Sequence, residues 1–219
     1  MGVVETRVKE KNKVSVFRNI GLNWPMLENY EDHYNGRIWL LWNPTLFHVV
    51  RLCSTSQLLH VQVKVLQSNF CFYATVIYAS NDGSCRQLLW DKITSLATTI
   101  DCPWIVFGDF NNVLVAEEKE GGELIHPREI MGFQECLHNA GLVDMAHTGC
   151  QFTWSNKSEG DHRIATKIDR SLVNEAWLDK CGQSISLFLT PVLSDHSPCV
   201  VVWPDRVSRR EVPFKFFNA

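Results

Sequence analysis

The 219-residue chain has no Cys-x-x-Cys pair and no Gly-x-Ser-x-Gly turn. It has no apolar run near the roughly 20 residues that span a bilayer, and no excess of positive charge. Each lack closes off a class of function. Eight cysteines scattered from Cys53 to Cys199 without ligand spacing exclude a zinc site and a disulfide framework. They read as reduced core residues of an intracellular protein, with Cys71 and Cys199 inside apolar runs. Without a nucleophile elbow there is no serine hydrolase, and the neighbours Ser194, Asp195 and His196 cannot relay protons to one another because consecutive side chains diverge. Met1-Gly2-Val3-Val4 runs at once into Glu5, so neither a signal peptide nor a membrane helix is expected. A net charge of −3 offers no global attraction to nucleic acid, which leaves such binding to local groups such as Arg206, Arg209 and Arg210.

What the chain does contain is many short apolar segments. With 45% hydrophobic and 21% charged residues it has the composition of an ordinary globular protein. Met1 to Val4 reads as the end of a strand with Glu5 at its tip, and residues 15–35 read as irregular. Arg37 to Trp42 and Leu46 to Leu52, joined by Asn43-Pro44, suggest a hairpin. Leu59, Val61, Val63 and Val65 alternate with His60, Gln62 and Lys64, the pattern of a strand with one wet face, which places His60 on the surface. Phe70 to Tyr78 is a central strand that stops at the turn cluster Ser80-Asn-Asp-Gly83. Leu89, Ile93, Leu96, Ala97 and Ile100 recur at helical spacing, and so do Ile130, Phe133 and Leu137 between Pro127 and Gly141. Further strands are expected at 152–155, 168–173, 185–189 and 198–203. Strands this numerous with two clear helices imply an α+β fold of two packed, mostly antiparallel sheets flanked by helices. The expected domain covers residues 1–203, with a tail at 204–219.

The most informative stretch is Pro103-Trp-Ile-Val-Phe-Gly-Asp-Phe-Asn-Asn112. Its apolar residues make a buried strand that ends at Gly108 and delivers Asp109 and Asn111 just beyond. In extended chain these two share one face and Phe110 takes the other. Strand ends are where layered α/β proteins place reactive groups. Asp and Asn after Gly also suit a plain turn, and this segment alone leaves both readings open.

The order Glu5, Tyr78, Gly108-Asp-Phe-Asn111, Ile168-Asp-Arg170 and Ser194-Asp-His196 resembles the endonuclease/exonuclease/phosphatase (DNase I-like) superfamily. Six segments narrow the resemblance to the endonuclease domain of plant non-LTR retroelements: Glu5-Thr-Arg7, Trp104 to Leu114, Glu118-Lys-Glu-Gly-Gly122, Gly149 to Asn156, Ile168 to Asn174 with Trp177, and Ser194 to Pro198. Pro213-Phe-Lys-Phe-Phe-Asn218 resembles the segment that leads from that domain towards the reverse transcriptase. The resemblance implies a four-layer α/β sandwich. It also implies a first strand carrying an Asn upstream of the metal-binding Glu. With Glu5 only four residues from Met1, that strand is expected to be missing, with one metal-side ligand lost and an edge left open.

The same resemblance implies Mg2+, with Mn2+ as a substitute, held by Glu5 and approached by Asp195, directly or through water. Asp109 would orient or deprotonate the attacking water, Asn111 would hydrogen-bond phosphate or nucleophile, and Tyr78 would offer its hydroxyl to the phosphate. His196, paired with Asp169, would donate to a non-bridging oxygen. A carboxylate partner raises a histidine's pKa and favours the charged donor that an anionic transition state requires. Trp154 is expected to pack, or to form a wall near the substrate. The implied activity is nicking of DNA by a monomeric, nuclear, retroelement-derived endonuclease. Two alternatives stand beside it: a decayed fragment acting as a nucleic-acid-binding or interaction module, and a phosphatase of small phosphate esters.

Overall fold

The computed structural model describes residues 1–20 and 22–203, so the tail at 204–219, with Arg206, Arg209, Arg210 and the Pro213 to Asn218 segment, lies outside the described residues. The chain opens with β1 (Gly2–Val4), α1 (Lys13–Asn19), β2 (Met26–Glu28) and β3 (Ile38–Leu41). Three antiparallel strands follow, β4 (Phe47–Ser54), β5 (Leu58–Val65) and β6 (Cys71–Tyr78), before α2 (Gly83–Ala97) crosses over and β7 (Trp104–Asp109) returns parallel to β6. Next come β8 (Lys119–Glu120), α3 (Pro127–Ala140), β9 (Leu142–Asp144), β10 (His147–Gly149) and β11 (Trp154–Ser155). The described chain ends with β12 (Ala165–Thr166), β13 (Asp169–Asn174), α4 (Glu175–Cys181), β14 (Ile185–Phe188) and β15 (Cys199–Val202).

A six-stranded sheet in the order β4-β5-β6-β7-β13-β9 forms the centre, antiparallel except where β6 meets β7. Its helix-covered face is closed by Leu89, Trp90 and Ile93 of α2 and Phe133, Cys136 and Leu137 of α3, which bury Leu58, Ile77, Trp104, Val106 and Leu172. Both helices start and stop as their sequences dictate. Asp82 caps α2 by accepting from the Cys85 amide at 3.0 Å, Pro127 opens α3, and Gly141 closes it with φ of 61°. The opposite face buries Leu59, Val61, Phe72, Val76, Ile105 and Val173 against Ile38 and Leu40 of β3 and Trp177 of α4. On the far side of β3, Trp39 and Leu41 pack with Tyr30 and with Val16 and Phe17 of α1. Helices, sheet, sheet and helix are the four layers expected.

Four local expectations are corrected. Residues 15–35 are not irregular throughout, because α1 runs to Asn19 and β2 spans Met26–Glu28. Residues 37–52 do not form a hairpin: β3 pairs with β1 and β2, whereas β4 pairs with β5 in the other layer. The turn at Asn43-Pro44 therefore carries the chain between sheets. His60 is buried, because α2 covers the early part of β5 on the side that periodicity leaves wet. Its Nδ1 lies 2.7 Å from Thr75 Oγ1, its ring stacks on Tyr73 at 5.4 Å, and burial together with the charge of Lys92 lowers its pKa to about 4. Of the cysteines, Cys136 and Cys181 are buried, whereas Cys71 and Cys199 are exposed.

The second layer is divided. One half is β1-β3-β2 and the other β10-β14-β15, with β11-β12-β8 a small sheet at the side. Gly2 of β1 lies over Val76 and Phe107, where a Cβ would come within 3.0 Å of the Phe107 ring. Cys199 of β15 lies over β13, its Sγ 3.6 Å from Ser171 Oγ. The two strands thus sit over neighbouring strands of the central sheet, with their outer edges unpaired among the described residues. Met1 and Leu41 exchange both backbone hydrogen bonds, at 2.6 and 2.9 Å, so the alternation of an antiparallel ladder turns the N–H and C=O of Gly2 and Val4 outwards. Leu189 donates to Pro198 at 2.8 Å, which by the same rule turns Cys199 and Val201 towards the gap.

Candidate active site

Three neighbouring strands end at one place. Tyr78 of β6, Asp109 of β7 and Asp169 of β13 are register partners, Tyr78 beside Asp109 and Asp109 beside Asp169. Gly108 permits the close approach of β7 to β6. Its φ is +135°, and a Cβ would stand 2.1 Å from the Ile77 carbonyl oxygen. Phe110 then turns into the helix-side core, where its ring lies 5.3 Å from Phe133, which in turn stacks on Trp90 at 4.6 Å. With Phe110 anchored, Asn111 takes a left-handed φ of 46°, a conformation that Asn tolerates better than most residues. The Asn111 amide donates to Asp109 Oδ1 at 2.8 Å, and its side-chain Nδ2 donates to the Ala79 carbonyl at 2.8 Å and to Asp109 Oδ2 at 3.1 Å. Both Asp109 oxygens are thereby oriented from one side.

Asp169 is held from behind and used in front. Thr153 Oγ1 accepts from the amides of Ile168 and Asp169 at 3.1 and 2.9 Å, and Asp169 Oδ2 accepts from His196 Nδ1 at 2.9 Å. This leaves Nε2 of His196 without a protein partner among the described residues. His196 is itself positioned by a bridge to Trp154, by Ser197 donating to the Thr153 carbonyl at 2.7 Å, and by Ser155 donating to the Asp195 carbonyl at 3.2 Å. Trp154 also donates from Nε1 to Asp195 Oδ2 at 2.9 Å. Trp154 therefore both packs and fixes an acid.

The charges follow from this packing. Burial pushes the Asp109 carboxyl up to about 7, and the neighbouring Asp169 carboxylate adds to the rise while His196 opposes it. For His196, burial acts to lower the pKa. The hydrogen bond and charge of Asp169, with Asp109 and Asp195 beyond, more than offset it and raise the value to about 9. Partial burial acts to raise Asp195, but the hydrogen bond from Trp154 and the charge of His196 bring it below the usual carboxylate range. Near neutral pH the arrangement pairs a charged imidazole donor with a carboxyl group poised between its two forms.

Glu5 and Tyr78 form the other flank. Arg37 Nη1 donates to the Tyr78 hydroxyl at 2.9 Å, which orients the phenol and leaves its own proton available. Burial, then the charge of Glu5, raises the Tyr78 pKa, so the hydroxyl stays protonated. Glu5 follows β1 with a φ of 55° and forms an ion pair with Arg7. Glu5, Tyr78, Asp109, Asn111, Asp195 and His196 all line one open cleft of about 510 Å³, with Asp169 directly behind His196. All seven residues singled out in the sequence therefore converge.

No group of three or more His, Cys, Asp or Glu residues able to hold a metal ion occurs among the described residues. The donor chemistry still suits a hydrated hard cation, which needs one or two carboxylates and keeps several waters. Glu5 presents a cleft-facing carboxylate with 27% of its side chain exposed, and Asp195 stands across the same cleft. Arg7, Arg37, Thr153 and the anchoring role of Trp154 were not legible as site features. Arg7, Thr153 and Trp154 lie inside segments that carry the family resemblance, which was the one available signal for them.

No protein-family model matches the chain, and no curated protein sequence matches it. Solved structures do. The chain is similar to the endonuclease domain of TRAS1, a telomere-specific non-LTR retrotransposon, with a TM-score of 0.67 and 12% identity over 90% of this chain and 93% of that one. It is similar to beta toxin from Staphylococcus aureus, with a TM-score of 0.64 and 10% identity over 93% of this chain and 86% of that one. An endonuclease/exonuclease/phosphatase protein from Bacteroides vulgatus gives a TM-score of 0.61 at 14% identity, over 93% of this chain and 84% of that one. At such identities the likeness establishes the fold.

Proposed function

We propose, with the DNase I-like fold as the premise, that the chain is a metal-dependent phosphodiester hydrolase that nicks DNA. The observation that carries this reading is the row Tyr78, Asp109, Asp169 on three adjacent strands, with Asn111 bonded to Asp109 and His196 to Asp169. Phosphodiester cleavage needs a positioned water and charge stabilisation on the phosphate more than it needs covalent chemistry. Asp109 orients the attacking water and takes its proton. Asn111 keeps that carboxylate aimed. His196 Nε2–H donates to a non-bridging oxygen, with Asp169 holding the ring and supporting its charge, and the Tyr78 hydroxyl donates to the same phosphate. Glu5, with Asp195, would hold Mg2+ or Mn2+, which when bound neutralises phosphate oxygens and stabilises the leaving oxygen.

An open cleft suits an extended polymer better than a small phosphate ester, which is held best in an enclosed pocket. A retroelement origin is supported by the segments from Trp104 to Leu114 and from Ile168 to Asn174 and by the likeness to the TRAS1 domain. The test is conversion of supercoiled plasmid to the nicked form with Mg2+ or Mn2+. Activity should vanish in EDTA and fall on the order of a hundredfold in Asp109→Ala and in His196→Ala. Nicking that persists in EDTA, or that survives both substitutions, would rule the mechanism out.

A further inference from the structure

Among the cations lining or flanking the cleft, Arg7 is committed differently from the rest. Arg37 is bonded to the Tyr78 hydroxyl, Arg86 to Glu129 on α3, Lys119 to the Glu123 carbonyl, and His196 to Asp169. Arg7 alone takes as its partner a cleft carboxylate that the proposed function needs for the metal. The backbone is shaped to put it there. Thr6 is pinned by its hydroxyl donating to the Gly36 carbonyl at 2.8 Å, and the residues on either side, Glu5 and Arg7, both take left-handed φ values of 55° and 49°. Two such residues in a three-residue span are uncommon outside glycine and turn both side chains towards the cleft. Of the Arg7 side chain, 72% is exposed, and its positive charge is favoured by Glu5 first and by the charge of Asp195 beyond it.

We propose that Arg7 is an exchangeable counter-ion: it neutralises Glu5 in the metal-free protein, is displaced when a divalent cation binds Glu5, and then binds a phosphate oxygen of the substrate. This rests on the assignment of Glu5 as a metal ligand above. Arg7 holds Glu5 Oε1 and sets a positive charge beside the place a cation would take on that carboxylate, so the pair weakens metal binding to the free protein by competition for the oxygen and by like-charge repulsion. Once released, a guanidinium two residues from the metal ligand is within reach of the same phosphate, to which its planar fork is suited. Because linkage is reciprocal, phosphate-bearing ligand and metal must then each tighten the binding of the other through Arg7.

Calorimetric titration of the full chain with Mn2+, alone and with a short phosphorothioate oligodeoxynucleotide, tests this without measuring activity. Arg7→Ala should bind Mn2+ about two- to fivefold more tightly than the parent when no DNA is present, the size expected from removing an exposed ion pair. The tightening of Mn2+ binding by the oligonucleotide, present in the parent, should shrink towards none in Arg7→Ala and be partly kept in Arg7→Lys. Lys119→Ala, which removes an equal charge elsewhere in the cleft, should gain less. Equal gains in Arg7→Ala and Lys119→Ala, unchanged or weaker metal binding in Arg7→Ala, or undiminished coupling to the oligonucleotide would each overturn the exchange. Glu5→Ala separates this failure from that of the parent reading. If it binds Mn2+ as well as the parent does, the metal assignment itself is wrong. If it loses Mn2+ while Arg7→Ala matches the parent, the exchange alone is wrong.

Discussion

The central sheet runs unbroken through six strands, whereas the layer facing it is two separate three-stranded sheets. The site draws on both. Tyr78, Asp109, Asn111 and Asp169 stand on or at the ends of the continuous sheet, locked in register and backed by the aromatic stack of Trp90, Phe110 and Phe133. Glu5, Asp195 and His196 come from the divided layer and its margins, where positions are fixed by side-chain bonds and loop contacts. On the proposed mechanism, the groups that would hold the water, with Tyr78 for the phosphate, sit on the continuous sheet, whereas those that would hold the cation, with His196 for the phosphate, sit on the divided side.

The largest contrast should be in stability. Phe133→Ala, at a fully buried position behind the continuous sheet, should cost about 3–5 kcal/mol in chemical denaturation. Val4→Ala, half-buried at the edge of the divided layer, should cost about 1 kcal/mol. Equal losses would erase the distinction. Next in size, Asp109→Asn should reduce plasmid nicking by about a hundredfold, whereas Trp154→Phe should cost about tenfold or less. The latter keeps the packing and loses only the bond to Asp195. If Trp154→Phe proved as damaging as Asp109→Asn, the divided side would have to be as exacting as the continuous one.

The pH dependence sharpens the same contrast. On the proposed mechanism nicking needs Asp109 ionised and His196 protonated, so the rate should rise through about pH 7 and fall through about pH 9. A cation on Glu5 draws the acid limb lower, and replacing His196 should remove the alkaline limb. Stability has its own sign. Because His196 is raised from 6.5 to about 9 in the folded state, its pair with Asp169 contributes stability that is complete below pH 6.5 and is lost as the pH climbs through 9. Denaturation midpoints measured from pH 6 to pH 10 should fall across that window in the parent and stay flatter in His196→Ala. The smallest expected effect is local. Amides of Gly2, Val4, Cys199 and Val201 should exchange with deuterium much faster than those of β6 and β7. Slow exchange at the four would mean that the two edges are covered.

Much of the continuous side was legible in the sequence. Alternation along β5, the apolar runs of β6 and β7 and the helical spacing of α2 and α3 are local patterns, and these elements lie where the patterns put them. The order of the reactive residues also anticipated their convergence on one cleft. What escaped was set by contacts distant in sequence. Periodicity along 37–52 cannot say that β3 and β4 belong to different sheets. Nor can it say that α2 covers His60, or that Cys199, in an apolar run, lies on an exposed edge. The part of Trp154 in holding Asp195 depends on a bond across 41 residues. The left-handed turn that aims Arg7 at Glu5 depends on Thr6 reaching Gly36.

The gap between β1 and β15 also bears on the mechanics of the cleft. Glu5 continues from β1, and Asp195 and His196 lead into β15, so the seam passes between the two jaws of the site. No backbone hydrogen bond among the described residues joins those strands. The spacing of the jaws is set through the shared floor of β6, β7 and β13, where Gly2 lies over Val76 and Phe107 and His196 is bonded to Asp169. Tyr78, Asp109 and Asp169, in register on that floor, are therefore the common reference from which both jaws of the cleft are positioned.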